Sequence, residues 1–196
     1  MAPEAVVLVG GMGTRLRPLT IGTPKPMLPT AGVPFLHHVL VKARAAGVEH
    51  VVLATSYRPE VFETGLGDGA ALGLRVDYVT EEQPLGTGGG IRNVAGLLEG
   101  GPDDPVVVLN GDVLSGHDLA RQVAAHVGSA ADVTLHLTEV DDPRTKAAGV
   151  PRSAQYAVSR WPRTRAPAAI RPGNVSRSTD TGRPDGMPST TERRKT

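Results

Sequence analysis

The chain has 196 residues, enough for one ordinary domain with or without a tail, and 39% of them are hydrophobic. It contains no cysteine, which excludes disulfides, thiolate metal sites and a cysteine nucleophile, and fits a reducing compartment. The net charge of +1 conceals an asymmetry: residues 145–196 carry eleven Lys or Arg and three acids, a balance of +8, whereas residues 1–144 sum to −7.

Met1 to Leu8 has neither the basic flank nor the apolar length of a signal peptide, and no run approaches the ~18 apolar residues that span a bilayer. A soluble, cytoplasmic chain with no membrane partner is expected. Ala5 to Val9 is a continuous apolar run that suits a strand buried on both faces of a parallel sheet, and a glycine-rich loop follows it. Phe35, Leu36, Val39, Leu40, Ala43 and Ala46 recur at helical spacing, so a helix is predicted from Val33 to Ala46 with Gly47 as its stop. Val51 to Ala54 reads as a strand, Arg58 to Leu66 as a short helix, and Leu74 to Val79 as a third strand.

Gly88 to Leu98 reads as a helix opened by glycines, Val106 to Leu109 as a buried strand, His117 to Val127 as an amphipathic helix and Val133 to Leu137 as a fifth strand. Strands alternating with helices imply a three-layer α/β fold with a mainly parallel sheet, whose ligands sit outside the carboxyl ends of the strands. The loops after Val9, Val79 and Leu109 are therefore the places to look. Residues 145–196, rich in Arg, Pro, Ser, Thr and Gly, are expected to form a largely disordered tail on a domain spanning 1–144.

The loop after the first strand reads Gly10-Gly11-Met12-Gly13-Thr14-Arg15-Leu16-Arg17-Pro18-Leu19-Thr20, and Pro24-Lys25-Pro26-Met27-Leu28-Pro29 follows soon after. Its glycines let backbone N–H groups approach a ligand closely, and successive amides can form a concave anion site. A Walker loop is excluded because no Gly-Lys is followed by Ser or Thr, and a dinucleotide fingerprint because Leu16 stands where its third glycine belongs. Arg15 offers a forked donor and Lys25 a compact point charge, as expected where a polyphosphate is held. A glycine cluster alone would read more readily as a surface turn.

Two further segments accompany it. Glu82-Gln83-Pro84-Leu85-Gly86-Thr87-Gly88 lies between a predicted strand and a predicted helix, and Asn110-Gly111-Asp112 places a carboxylate at the end of a buried strand. Together the three segments resemble the signature of the sugar-1-phosphate nucleotidyltransferases, over residues 5 to about 142, and the first is most similar to that of the mannose-1-phosphate guanylyltransferases. The resemblance implies a Rossmann-like nucleotidyltransferase fold and a reaction joining a nucleoside triphosphate, GTP by preference, to a hexose 1-phosphate such as mannose 1-phosphate.

It also implies roles by residue. Gly10, Gly11, Gly13 and Thr14 would wrap the nucleotide, Arg15 would contact its phosphates and Lys25 would steady the α-phosphate region. Glu82, Pro84, Leu85, Gly86 and Thr87 would read the base, and Asp112 would hold Mg²⁺. A sugar phosphate is already anionic, so its in-line attack on the α-phosphorus needs positioning and charge neutralisation rather than a general base. His37 and His38, adjacent on a helix, point to different faces and are expected to be structural or solvated.

The family's sugar-binding half, with a Glu-Lys-Pro-like segment, an Asn-Ala-Gly strand and a late metal-binding aspartate, is not recognisable after Arg144. Asp180 and Asp185 have no predicted strand to present them. A truncated domain with a replaced end is expected, its transfer activity reduced or lost. The alternatives are a non-catalytic nucleotide-binding or regulatory subunit, a pyrophosphorylase for glucose 1-phosphate, or, through the +8 tail, a nucleic-acid binder, disfavoured because no binding motif accompanies the charge. A homo-oligomer is compatible with each.

Overall fold

A computed structural model describes residues 2–81, 83, 85–101, 103–129, 131–139, 152–160 and 175–178, with residues 138–139 and the last two segments described as backbone. In chain order come β1 (Glu4–Leu8), the two-residue strands β2 (Pro29–Thr30) and β3 (Val33–Pro34), α1 (Phe35–Ala45), β4 (His50–Thr55) and α2 (Pro59–Leu66). Then follow β5 (Arg75–Thr80), α3 (Gly86–Asn93), β6 (Pro105–Asn110), α4 (Leu119–Val127), β7 (Val133–Glu139), β8 (Arg152–Arg160) and β9 (Val175–Ser178). Seven strands form one sheet in the order β5-β4-β1-β6-β8-β7-β9. Its pairs are parallel except the two made by β8, which runs antiparallel between β6 and β7.

The apolar runs form central strands because helices cover both faces. Alternate residues of β1 divide between two cores: Ala5 and Val7 pack with Leu36, Val39 and Leu40 of α1, Phe62 of α2 and Leu119 and Val123 of α4, whereas Val6 packs with Val52, Val94 and Leu98 on the opposite face. The predicted three-layer, mainly parallel α/β arrangement is thus the one observed. Helix α1 buries Leu36, Val39, Leu40 and Ala43, the spacing of one helical stripe. Helix α4 is opened by Asp118, whose Oδ1 accepts from the Arg121 N–H at 2.9 Å.

Several boundaries differ from the sequence reading. The first helix begins at Phe35 because Val33 and Pro34 pair back on Pro29 and Thr30 through the two-residue turn Ala31-Gly32, both at positive φ. Helix α3 begins at Gly86 and yields to a 3₁₀ turn at Ala95–Leu97. Within the stretch expected to be disordered, two segments are strands, β8 and β9. Tyr156-Ala157-Val158 is a short apolar run inside β8, too brief and too closely flanked by basic and polar residues to stand out in the sequence.

At the amino ends of β1 and β4, opposite the loops of interest, lies a buried polar cluster. The Glu4 carboxylate accepts from the N–H groups of Glu99 at 3.0 Å and Gly100 at 2.6 Å and meets His50 Nδ1 at 2.6 Å, while His50 Nε2 meets Asp77 Oδ2 at 2.9 Å. Burial raises the Glu4 pKa, but the two backbone donors and His50 together outweigh it and hold the carboxyl below its ordinary value of 4.5. A depressed folded-state pKa stabilises the fold above the unfolded value and is lost as pH falls through the folded one. Glu4→Gln is expected to lower stability at pH 7 by about 1.5–3 kcal/mol and to flatten the loss of stability below pH 4.5. Urea unfolding from pH 7 downward checks this, and an unchanged acid limb would contradict it.

Candidate functional site

Because the chain runs from β1 outward to β4 and β5 and then returns to β6 on the other side of β1, the sheet reverses its winding between β1 and β6. In open α/β sheets a crevice opens at such a point, outside the carboxyl ends of the strands. A cavity of about 700 Å³ lies there. Gly10, Gly11, Gly13, Thr14, Arg15, Lys25, Gly86, Thr87 and Asp112 all line it, so residues from three separate predicted segments come together. Leu85 is not part of the lining, and Glu82 and Pro84 lie outside the described residues.

The loop after β1 is built by local constraints. Val9 N–H still bonds to the Ala54 carbonyl at 3.0 Å, and Ser56 Oγ donates to the Gly10 carbonyl at 2.6 Å, so the chain leaves the sheet along β4. Gly13 turns it at φ 59° into a 3₁₀ turn, Thr14–Leu16, which carries Arg15. The buried Thr20 hydroxyl donates to the Gly13 carbonyl at 2.9 Å and closes the loop. A Cβ on Gly13 would stand 3.1 Å from both Lys25 Cβ and Thr20 Cγ2, so the glycine brings the Arg15 and Lys25 segments into contact. Lys25 opens a second 3₁₀ turn, Lys25–Met27, anchored by buried Pro26 and Met27.

Asp112 follows β6, two residues beyond its last residue, Asn110. The Gly111 N–H donates to the Leu8 carbonyl at 2.9 Å and ties this loop to the end of β1. Farther along, Lys42 of α1 donates to the carbonyls of Ser115 at 2.5 Å and His117 at 2.6 Å, bracing the loop from behind. Burial pushes the Lys42 ammonium below its ordinary pKa, against the opposing pull of Asp118. Within the cavity lining Lys25 Nζ donates to Asp112 Oδ2 at 2.7 Å, with 38% and 39% of the two side chains exposed. Pairs that exposed contribute only about 0.2–1 kcal/mol, so this contact is easily exchanged.

Among the described residues no group of three or more His, Cys, Asp or Glu is arranged to cage a metal. The donor set instead fits a hard cation that takes one accessible carboxylate, Asp112, and completes its shell with phosphate oxygens and water. His38, by contrast, turns its Nε2 to the Thr30 carbonyl at 2.9 Å.

The sequence reading missed Ser56, Glu81 and Asn110, all of which line the cavity. Glu81 directly follows β5, and its N–H is held by the Thr55 carbonyl at 2.8 Å while its Oε2 accepts from Leu85 N–H at 3.2 Å. Its Oε1 lies 2.6 Å from the position a Cβ on Gly90 would take, so glycine there lets α3 approach the carboxylate. The signal for Glu81 was its place as a carboxylate just after a predicted strand, next to the motif that begins at Glu82.

The fold and site define a class, a doubly wound α/β protein with a glycine-rich loop, two cationic side chains and a carboxylate at its switch point. Residues 4–155 match the family model described as nucleotidyl transferase, and the chain belongs to that family. It is 64% identical over 141 residues to a mannose-1-phosphate guanylyltransferase of Mycobacterium tuberculosis, a match covering 72% of this chain and 38% of that protein. It is 39% identical over 134 residues to a D-glycero-α-D-manno-heptose 1-phosphate guanylyltransferase of Aneurinibacillus thermoaerophilus, covering 68% and 56%. Among solved structures, HddC from Yersinia pseudotuberculosis in complex with GMP-PN aligns with a TM-score of 0.61 at 26% identity, over 82% of this chain and 74% of that one. The chain thus spans well under two thirds of the length of the curated relatives it matches.

Gly111→Ala tests the strand-end geometry, because its Cβ would fall 2.4 Å from Val9 Cγ1 and 3.3 Å from the Leu8 carbonyl oxygen. Val9 is buried and β-branched, so its methyl has little room to yield, and the substitution is expected to cost about 1–3 kcal/mol of stability and to move Asp112. Thermal unfolding and nucleotide titration read the two effects, and wild-type behaviour in both would refute the close approach.

Proposed function

We propose that this chain carries the nucleotide-handling part of a sugar-1-phosphate guanylyltransferase, binding GTP with Mg²⁺ for attack by a hexose 1-phosphate, mannose 1-phosphate by preference. The observation that carries the reading is the convergence of the glycine loop, Arg15, Lys25 and Asp112 on one cavity at the switch point. Backbone amides of the 10–14 loop and the Arg15 guanidinium would hold the β- and γ-phosphates, and Lys25 would neutralise charge at the α-phosphate. Asp112 would bind the cation, which supplies electrostatic stabilisation to the phosphates. The sugar phosphate oxygen attacks the α-phosphorus, the bond to the bridging oxygen breaks, and pyrophosphate leaves. No proton need be abstracted from the nucleophile, and the described residues that line the cavity include no histidine.

Guanine is favoured on chemical grounds. Its N1–H and N2–H₂ form adjacent donors that complement a carboxylate, and Glu81 lines the cavity beside Gly86 and Thr87. The relatives whose names specify a guanylyl transfer support the same choice.

Because most of the Mycobacterium relative's length lies outside the match, a second reading is kept, in which the 196-residue chain binds nucleotide without completing transfer. GTP at about 100 times its Kd should add about 2.7 kcal/mol of stability, raising Tm by about 5–10 °C for a chain of this size. UTP, dTTP and ATP should stabilise less, and Glu81→Gln should weaken GTP binding by about ten- to hundredfold. Equal shifts with all four nucleotides would rule out the guanine assignment. Mixing the chain with GTP, Mg²⁺ and mannose 1-phosphate separates the two readings: GDP-mannose formation supports the enzyme, and GTP binding without pyrophosphate release supports the binding subunit.

A further inference from the structure

The Lys25–Asp112 contact joins two groups to which the proposed function gives separate partners, phosphate for the lysine and cation for the aspartate. The inference below rests on that reading of the cavity. With Nζ at 2.7 Å from Oδ2, the ammonium occupies one carboxylate oxygen and places a positive charge beside the other. A divalent cation approaching Asp112 must therefore displace Lys25 or bind against its repulsion. Among the described residues no group of three or more His, Cys, Asp or Glu surrounds Asp112, so the cation gains no ready-made cage there to offset the loss. The lysine itself sits on a turn fixed by buried Pro26 and Met27, while its side chain is partly exposed and can swing toward a phosphate in the cavity without disturbing the fold.

We propose that Lys25 gates the cation subsite: it masks Asp112 while the cavity holds no nucleotide, and transfers to the phosphates when a triphosphate enters, so that cation and nucleotide bind with positive coupling set by this residue. The exchange replaces one weak, half-exposed ion pair by two charge-assisted contacts, Lys25 with phosphate and Asp112 with cation. It thereby gives the site low affinity for a bare cation and high affinity for the cation–nucleotide pair. By linkage the same factor must raise nucleotide affinity when cation is present.

The test is Mn²⁺ titration of the full 196-residue chain without nucleotide, read by the loss of the free-ion EPR signal. Lys25→Met should bind Mn²⁺ about tenfold or more tighter than wild type, Lys25→Arg should resemble wild type, and adding Asp112→Asn to Lys25→Met should abolish the gain. GTP should then raise Mn²⁺ affinity by a larger factor in wild type than in Lys25→Met. Circular dichroism confirms folding of each variant, and Lys25→Gln serves if the methionine variant does not fold. Unchanged or weaker nucleotide-free Mn²⁺ binding in the folded, uncharged variants, or a gain that survives Asp112→Asn, overturns the gate. GTP stabilisation of wild type together with Lys25-independent Mn²⁺ binding sinks the gate alone. No stabilisation by any nucleotide sinks the nucleotide reading and the exchange with it.

Discussion

The site depends on the hydrogen bond from Gly111 N–H to the Leu8 carbonyl, 2.9 Å long, which holds the end of β6 against the end of β1. Without that close approach the two loops that leave the switch point would diverge, as adjacent strands twist relative to one another. It favours glycine at 111, since a Cβ would run into the buried Val9 side chain and crowd the Leu8 carbonyl. Once the strand ends are tied, the remaining geometry follows from short-range devices. Ser56 fixes Gly10, Thr20 fixes Gly13, and Lys42 braces the loop beyond Asp112.

The two ends of the sheet carry different kinds of polar chemistry. At the amino ends Glu4, 7% exposed, spends its lone pairs on two backbone donors and a buried histidine, a satisfied network suited to holding β1, β4 and the 99–100 segment together. At the carboxyl ends Lys25 and Asp112 are more than a third exposed and pair with each other alone among the described ion pairs. Burial makes the first cluster costly to break; exposure makes the second cheap to rearrange. The second kind can exchange partners without cost to the fold.

Much of this was legible in the sequence because its signals are local. The run Ala5 to Val9, the stripe Leu36-Val39-Leu40-Ala43 and the string Gly10 to Thr20 each encode one element within a dozen residues, and alternation of strand and helix then implies the parallel sheet. What stayed hidden depends on partners distant in the chain. One exception is local: the Ala31-Gly32 turn draws Val33 and Pro34 out of the stretch that reads as helix, and its alanine takes a positive φ that sequence statistics disfavour. Glu81 reaches the cavity lining because Thr55, on the adjacent strand, sets the backbone register at that point. No pattern confined to residues 80–88 contains that partner.

Strand β8 bears on where the folded unit ends. Residues 105–109 of β6 pair with residues 156–160 of β8, so β8 covers the side of β6 that β1 does not. A boundary after Arg144 would leave that row of N–H and C=O groups as an open edge beside the switch point, a surface that soluble proteins normally protect. The family match runs to residue 155, into β8 and across the charge boundary at 144. The charge asymmetry and the packing boundary are therefore separate features. Basic, proline-rich composition begins where the apolar rhythm weakens, whereas hydrogen bonding across the sheet continues at least as far as Arg160.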